Sequence, residues 1–291
     1  MQDSFLFQHY LVVFIDHLGQ REHLRKVTGL PTTVTEESKF IDIMKDSVGR
    51  VTKIRDVFKT YFDLAVAHKP NINLVSPENR EEFIASQKIN LNFYGISDSV
   101  VIAVPLMSND ENCTAVNGVF SAFVATCGIG LMSLSIQVAM RAGLDVGVAT
   151  QIDDKEIYGP ALERAFYLES NLAEYPRFII GKELINYLLW VEHQESNTNL
   201  SQVAKGLARY CREMIIQDSD GRYMLDFLGT KIKEASGEVI NKDVVMSAFS
   251  FVRSQYEKYL KEENDKLSSR YYRLLLYFLN RQSIWGLNQN V

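Results

Sequence analysis

The chain of 291 residues is long enough for one large domain, or for one domain with an extension. Hydrophobic residues make up 46% and charged residues 23% of it, which is typical of a soluble globular protein, and the formal net charge of −5 argues against an extensive nucleic-acid surface. Three cysteines without metal-ligand spacing, and an N-terminus without a basic region followed by an apolar run, predict a reduced cytoplasmic protein that has no signal peptide.

The first strong structural signal is the run from Leu11 to Ile15, five apolar residues followed by Asp16 and then by Gly19. Such a run predicts a buried central strand that leads into a tight turn. The carboxylate of Asp16 then lies at the end of a core strand, where a charge needs a partner, and a metal ion is a good one. The alternative from the residues alone is that Asp16 caps a following helix.

Apolar residues at helical spacing over Lys39–Ala67 predict one long amphipathic helix, or two, packed on one face of a sheet. Residues 68–82 are polar and contain two prolines, which predicts a loop.

In Phe93–Val104, apolar and β-branched residues flank Gly-Ile-Ser-Asp-Ser, which predicts two strands joined by a short hairpin with Asp98 at its tip. Asp98 alone is better explained as an ordinary turn residue. Together with Asp16 it provides the two strand-end carboxylates that a divalent-metal site for phosphate chemistry requires.

The most apolar segment of the chain is Val116–Ala139. Several polar residues interrupt it, and Gly128 and Gly130 are expected to break it. These interruptions favour a buried helix in a soluble core over a membrane span.

The second half of the predicted sheet follows this segment. A third strand is predicted over Ala139–Ala149, and Gly159-Pro160 opens a helix because proline suits the first helical turn. Another strand is predicted in Tyr175–Gly181. The order β, α, ββ, α, β, α, β predicts an α+β fold with an antiparallel or mixed sheet. Strand signals then fade, which predicts a helical C-terminal extension over residues 182–291 after a domain over residues 1–181.

Four motifs in this order resemble the catalytic domain of class III nucleotidyl cyclases, the adenylate and guanylate cyclases. Phe14–Gly19 resembles the family's Phe-x-Asp-Ile-x-Gly opening, and Ile96–Asp98 falls where the family has a Gly-Asp hairpin. Arg141–Gly147 is similar to its Arg-x-Gly-Ile-His-x-Gly strand, and Gly159–Ser170 to its Gly-x-x-Val-Asn-x-Ala-x-Arg-Leu-Glu-Ser helix. The resemblance covers roughly Leu11–Gly181 and implies the ferredoxin-like fold of that domain.

The resemblance also implies a metal site. Asp16 and Asp98 match the family's two metal-binding aspartates, and the backbone carbonyl of His17 stands where the family has a third ligand. Two Mg²⁺ or Mn²⁺ ions held there would bridge the triphosphate, assist loss of the ribose 3′-OH proton and stabilise the pyrophosphate leaving group.

Phosphate and base recognition follow from the same motifs. Phosphate oxygens are expected to bind to backbone N–H groups at a helix N-terminus, those of Leu18, Gly19 and Gln20. Tyr94 aligns with the lysine by which adenylate cyclases read the base, and Glu156 aligns with the companion aspartate. These two differences argue against ordinary adenine recognition, although packing within the hairpin is an equal alternative for Tyr94.

The sequence departs from the family at two further positions. Glu163 and Tyr167 replace the transition-state asparagine and arginine, and a tyrosine cannot neutralise phosphate charge as an arginine does. Either another cation substitutes or the protein is slow or inactive. The candidate cations are Arg21, Arg141, Arg164 and Arg177. By itself Arg141 is interpreted as a surface charge at a strand end.

The compact motifs, the Tyr-Pro-Arg strand and the helical tail are most similar to the bacterial pyrimidine cyclases of Pycsar anti-phage defence. This resemblance implies a cytoplasmic homodimer with composite sites that converts UTP, or CTP, to a 3′,5′-cyclic monophosphate and pyrophosphate. The product would act on a separate effector, and neither a membrane nor a nucleic acid would be a partner. Two other hypotheses are a purine cyclase with altered base contacts and a degenerate cyclase fold that senses nucleotides without turnover.

Overall fold

The computed structural model describes residues 6–19, 29–67, 77, 80–81, 89, 91–96, 99–106, 115–152, 155–195 and 199–287. These residues form strands and helices in the chain order β1 (Gln8–His17), α1 (Val34–Ala67), β2 (Asn92–Ile96), β3 (Ser99–Pro105), α2 (Val116–Ser135), β4 (Met140–Ile152), β5 (Glu156–Tyr158), α3 (Pro160–Tyr167), β6 (Phe178–Ile180), α4 (Lys182–Glu192), α5 (Asn199–Glu213), β7 (Ile215–Gln217), β8 (Tyr223–Leu225), α6 (Thr230–Ser236), α7 (Lys242–Lys261) and α8 (Asp265–Leu279). A π-helical turn, Leu168–Leu172, continues α3.

All eight strands belong to one sheet, in the order β2-β3-β1-β4-β6-β8-β7, with β5 paired to β4 beside this path. The first four strands pair antiparallel, and α1 and α2 connect them in the β-α-β-β-α-β order of a ferredoxin-like core. Strands β4 and β6 pair in parallel, which makes the sheet mixed. The predicted α+β fold is therefore confirmed.

The central strand β1 is buried on both faces. From Tyr10 to Ile15 no side chain is more than 4% exposed. Leu11, Val13 and Ile15 pack into the large core beneath the helices, whereas the alternate residues pack into a smaller cluster beneath α3. Burial on both faces explains why the sequence of this strand is continuously apolar and does not alternate.

Helix α2 lies in the middle of the large core. Its length and composition would allow it to cross a membrane, but 89% of its most apolar window is buried inside the protein, as in the core helix of a soluble protein. The predicted break at Gly128 and Gly130 is wrong, because the helix runs through both. The two glycines instead allow close packing: a Cβ atom at Gly130 would lie 2.1 Å from the ring of Phe178, and one at Gly128 would lie 2.7 Å from the ring of Tyr61.

The segment after residue 181 is mainly helical, as was predicted, but it also contains two short strands. Strands β7 and β8 form a hairpin, and β8 pairs with β6, so the sheet continues across the predicted boundary. The fully buried guanidinium of Arg177 fixes this hairpin, because it donates a 2.6 Å hydrogen bond to Asp220 and also pairs with Asp218. Strands of three residues are too short for an alternating pattern to reveal them.

Two helices complete the C-terminal half. Helices α7 and α8 pack against each other through aromatic side chains, with the rings of Tyr259 and Tyr271 stacked at 5.6 Å. Tyr277 packs against Phe227 at 4.6 Å. The tyrosine-rich tail therefore packs within the protein core.

Candidate active site

Asp16 lies at the last-but-one position of β1, directly opposite Ser99 on one neighbouring strand and Arg141 on the other. The residue is only 6% exposed, and its carboxylate is held from both sides. The hydroxyl of Ser99 donates to Oδ1 at 3.2 Å, and Nη2 of Arg141 donates to Oδ2 at 3.2 Å. The helix that Asp16 was alternatively predicted to cap falls in residues 20–28, outside the described part of the chain.

A second carboxylate, that of Glu169, contacts the same arginine. Its Oε1 lies 2.5 Å from Nε of Arg141, and the residue is 2% exposed. Glu169 lies in the π-helical turn after α3, a type of turn that is frequent at functional sites. The pKa of its carboxyl group is raised to about 7, chiefly by burial; the charge of Arg141 lowers this pKa, and the nearby charge and hydrogen bond of Asp16 raise it.

Asp16, Arg141 and Glu169 therefore form one buried cluster, a guanidinium between two carboxylates. Such groups are stable in a protein interior only when they are paired. The interpretation of Arg141 as a surface charge is wrong, because its side chain is 18% exposed and contacts both carboxylates. The sequence analysis assigned Glu169 no role, although its match to the glutamate of the Leu-Glu-Ser end of the helix motif was a visible signal.

The predicted metal ligands are placed only in part. Strands β2 and β3 form the predicted hairpin, with Ile96 paired to Ser99, but Asp98 lies outside the described residues. His17 is buried and its backbone is paired with Met140. In the part of the chain that the structure describes, no three His, Cys, Asp or Glu side chains form a metal-binding group.

The described part of the site is nevertheless compatible with a divalent cation. A strand-end carboxylate and a backbone carbonyl are the hard oxygen donors that Mg²⁺ and Mn²⁺ prefer. The guanidinium at 3.2 Å from Asp16 shows that this carboxylate already interacts with a positive charge. Asp16 and the carbonyl of His17, with Asp98, would hold the ions.

The structure bears differently on each of the three predicted phosphate-binding amides. The N–H of Leu18 donates to the carbonyl of Ala139 at 2.9 Å, so this amide is already satisfied and the prediction for it is corrected. Gly19 has φ +88° and open space around its α-carbon, a conformation that strongly favours glycine. Gln20 lies outside the described residues.

The two predicted base-binding residues lie on different strands. Tyr94 of β2 is buried in the cluster beneath α3, and its hydroxyl accepts a 2.6 Å hydrogen bond from Gln151 of β4. Gln151 is paired with Ile157 in β5, next to the exposed Glu156. The structure therefore gives Tyr94 a packing role and connects it to the β4–β5 hairpin that carries Glu156.

Two of the four candidate cations form ion pairs with carboxylates other than Asp16. Arg177 is buried against the β7–β8 hairpin. Arg164 pairs with Asp145 at 3.0 Å and donates to the carbonyl of Val146 at 2.5 Å. Of the described candidates, Arg141 alone contacts Asp16, while Arg21 lies outside the described residues.

A partly exposed aromatic surface lies where α3 meets β1 and β5. Glu163 and Phe166 line a shallow depression there together with Phe14 and Tyr158, and the rings of Phe14 and Phe166 meet edge to face at 5.2 Å. Tyr158 is 70% exposed, and Tyr167 and Phe166 are half exposed. This exposed aromatic surface adjoins the helix whose C-terminal turn carries Glu169.

Comparison with known proteins yields little. No family model matches the chain, and no curated protein matches it. Among solved structures it is similar to that of a bacterial light-regulated adenylyl cyclase, with a TM-score of 0.34 and 12% sequence identity. The likeness covers 71% of this chain and 59% of that chain, so this chain spans less than two thirds of the other.

Proposed function

We propose that this protein is a metal-dependent nucleotidyl cyclase whose active site contains Asp16 and Asp98. One observation supports the proposal: residues from three of the four separate motifs meet at one point. Asp16, Arg141 and Glu169 come from the first, third and fourth motifs and contact one another. Ser99, which directly follows the second motif, bonds to Asp16. Motifs that are distant in sequence and converge on one buried carboxylate are expected of a catalytic site.

The proposed reaction is the conversion of a nucleoside triphosphate to a 3′,5′-cyclic monophosphate and pyrophosphate. When bound, two Mg²⁺ or Mn²⁺ ions supply positive charge to the triphosphate and lower the pKa of the attacking hydroxyl. Asp16, Asp98 and the carbonyl of His17 would hold the ions, and Gly19 and Gln20 would bind phosphate oxygens through backbone N–H groups.

For the base we propose a pyrimidine, with UTP favoured over CTP. The support is the motif resemblance to pyrimidine cyclases, together with Tyr94 and Glu156 at the positions of the adenine-reading lysine and aspartate. By the same resemblance, the cyclic nucleotide would act in the cytoplasm on a separate effector of anti-phage defence.

A direct assay tests the activity. Purified protein is incubated with Mn²⁺ and each of the four nucleoside triphosphates, and pyrophosphate and cyclic product are measured. We expect turnover of UTP or CTP, and loss of at least about a hundredfold in Asp16→Ala. Asp42→Ala removes an exposed acid of α1 and should retain full activity. Absence of product with all four nucleotides contradicts a cyclase, and exclusive turnover of ATP or GTP favours the purine alternative.

A second candidate function is nucleotide sensing without turnover. The observation that favours it is that Glu163 and Tyr167 replace the family's transition-state residues, while Arg164 and Arg177 are engaged elsewhere. Nucleotide binding measured by calorimetry, without cyclic product in the assay above, would establish this function.

A further inference from the structure

The buried cluster contains a residue for which the proposed reaction has no task, namely Glu169. We propose that Glu169 is a positioning residue that holds the guanidinium of Arg141 and thereby limits how strongly Arg141 competes with a divalent cation for Asp16. The inference rests on the proposed function in one respect, that Asp16 is a metal ligand.

The distances indicate which carboxylate anchors the guanidinium. Nε of Arg141 lies 2.5 Å from Glu169, whereas Nη2 lies 3.2 Å from Asp16. Nη1 lies 3.5 Å from the carbonyl oxygen of Ala173. The shortest contact is the ion pair with Glu169, whereas the longer contact with Asp16 is also a hydrogen bond. Because the attraction between two charges grows as their separation falls, the closer charge, Glu169, attracts the guanidinium more strongly than Asp16 does.

The position of Glu169 is itself well fixed. Gly143 of β4 lets the end of α3 approach the sheet, since a Cβ atom there would lie 2.1 Å from the carbonyl of Ala165 and 2.7 Å from the backbone nitrogen of Glu169. Because Glu169 is almost fully buried, water cannot readily replace it as the partner of Arg141.

This arrangement has a consequence for metal binding. While Glu169 holds Arg141, a cation that binds Asp16 removes only the longer of the two contacts. Without Glu169, Arg141 has Asp16 as its remaining carboxylate partner, and the cation must displace the guanidinium from its sole counter-charge. Removing Glu169 should therefore weaken cation binding, and removing Arg141 should strengthen it.

The test measures Mn²⁺ binding to the purified full-length protein, from the electron paramagnetic resonance signal of free Mn²⁺ at about pH 8. We expect Glu169→Gln to raise the Kd for Mn²⁺ about tenfold, as is usual for residues that orient a metal ligand. Glu169→Asp should act in the same direction, because it keeps the charge but shortens the reach. Arg141→Gln should lower the Kd. Glu257→Gln is the matched control: this exposed glutamate of α7 pairs with Arg253, away from the cluster, and its loss should leave the Kd unchanged.

The outcomes separate this inference from the proposed function. Unchanged Mn²⁺ affinity in Glu169→Gln, wild-type affinity in Glu169→Asp, or weaker binding in Arg141→Gln would each overturn the positioning role. Absence of Mn²⁺ binding by the wild-type protein would overturn both proposals. If the variants show the expected Mn²⁺ affinities but no nucleotide gives a cyclic product, the proposed cyclase activity is contradicted and the positioning role is not. Melting temperatures measured in EDTA identify a variant that does not fold. If Glu169→Gln does not fold, the Kd of Glu169→Asp for Mn²⁺ tests the positioning role.

Discussion

Glu169 carries an ionisable group whose environment differs greatly between the folded and unfolded chain. Burial and Asp16 raise its pKa from 4.5 to about 7 in the folded protein. The folded state therefore binds this proton more tightly than the unfolded state does. The contribution of the group to the free energy of unfolding is greatest below about pH 4.5 and is lost as the pH rises through 7.

This linkage predicts the behaviour of Glu169→Gln, which has no proton to lose. In metal-free buffer, the stability of the variant relative to the wild type should increase by about 2 kcal/mol between about pH 5 and about pH 8. Urea unfolding of the wild type and of Glu169→Gln at the two pH values measures this change in relative stability. Comparing the two pH values cancels the constant effect of the lost Arg141 contact. A difference that does not vary with pH would contradict the raised pKa.

At the scale of single residues, the sequence analysis succeeded where the local pattern is decisive. Asp16 follows a continuous apolar run, so its position at a strand end could be predicted without any tertiary information. The contact between Arg141 and Glu169 could not, because it depends on how closely α3 approaches β4. The satisfied amide of Leu18 depends in the same way on Ala139, which is 121 positions away.

At the scale of secondary-structure elements, the glycines of α2 offer a test of how tightly that helix is packed. Gly130→Ala would place a methyl group 2.1 Å from the ring of Phe178, which overpacks the core and should cost about 1–3 kcal/mol. Gly49→Ala is the matched substitution on the exposed face of α1, where no atom lies within 4 Å. Since alanine favours the helical conformation, it should stabilise the protein by about 0.5–1 kcal/mol.

Chemical unfolding of Gly130→Ala, Gly49→Ala and the wild type, monitored by circular dichroism, measures these changes in stability. The substitutions are chemically identical, so opposite signs can be assigned to packing alone. Destabilisation of similar size at both positions would show that Gly130 is not limited by Phe178.

The secondary-structure elements that were predicted best are those in which a pattern repeats several times. Apolar spacing was sufficient to predict helix α1, the β2–β3 hairpin and strand β4, because each contains several repeats of its pattern. The three-residue strands β5, β7 and β8 have too few residues for any period, and their strand conformation depends on pairing partners. Helix α2 was located correctly, but its glycines were treated as breaks when they are packing positions.

At the scale of the whole molecule, the motif resemblance implies a homodimer, and we propose the exposed aromatic surface beside α3 as its interface. Single exposed aromatic residues are common, but Tyr158 and Phe166 line one depression beside the helix that leads into the turn of Glu169. We expect light scattering to give twice the monomer mass of 33.2 kDa. Tyr158→Glu should shift the protein towards the monomer and lower turnover, because composite sites need both protomers.

The control for this substitution is Tyr272→Glu on α8. Tyr272 is also a partly exposed aromatic residue, at 46%, but it lies on a different helix and outside the depression that Tyr158 and Phe166 line. Tyr272→Glu should leave the mass in solution unchanged. A monomeric wild-type protein with full activity, or equal loss of dimer in both variants, would contradict a dimer that forms through α3.

The continuation of the sheet from β4 through β6 to the β7–β8 hairpin bears on how the chain can be divided. In a fragment that ends at residue 181, β6 would become an edge strand with unpaired N–H and C=O groups. The same cut would remove α5 and α7, two of the helices that cover the apolar α2, and leave it covered by α1 and the sheet. An open strand edge beside a partly uncovered apolar helix favours intermolecular β-pairing, so the C-terminal half also protects the ferredoxin-like core from aggregation.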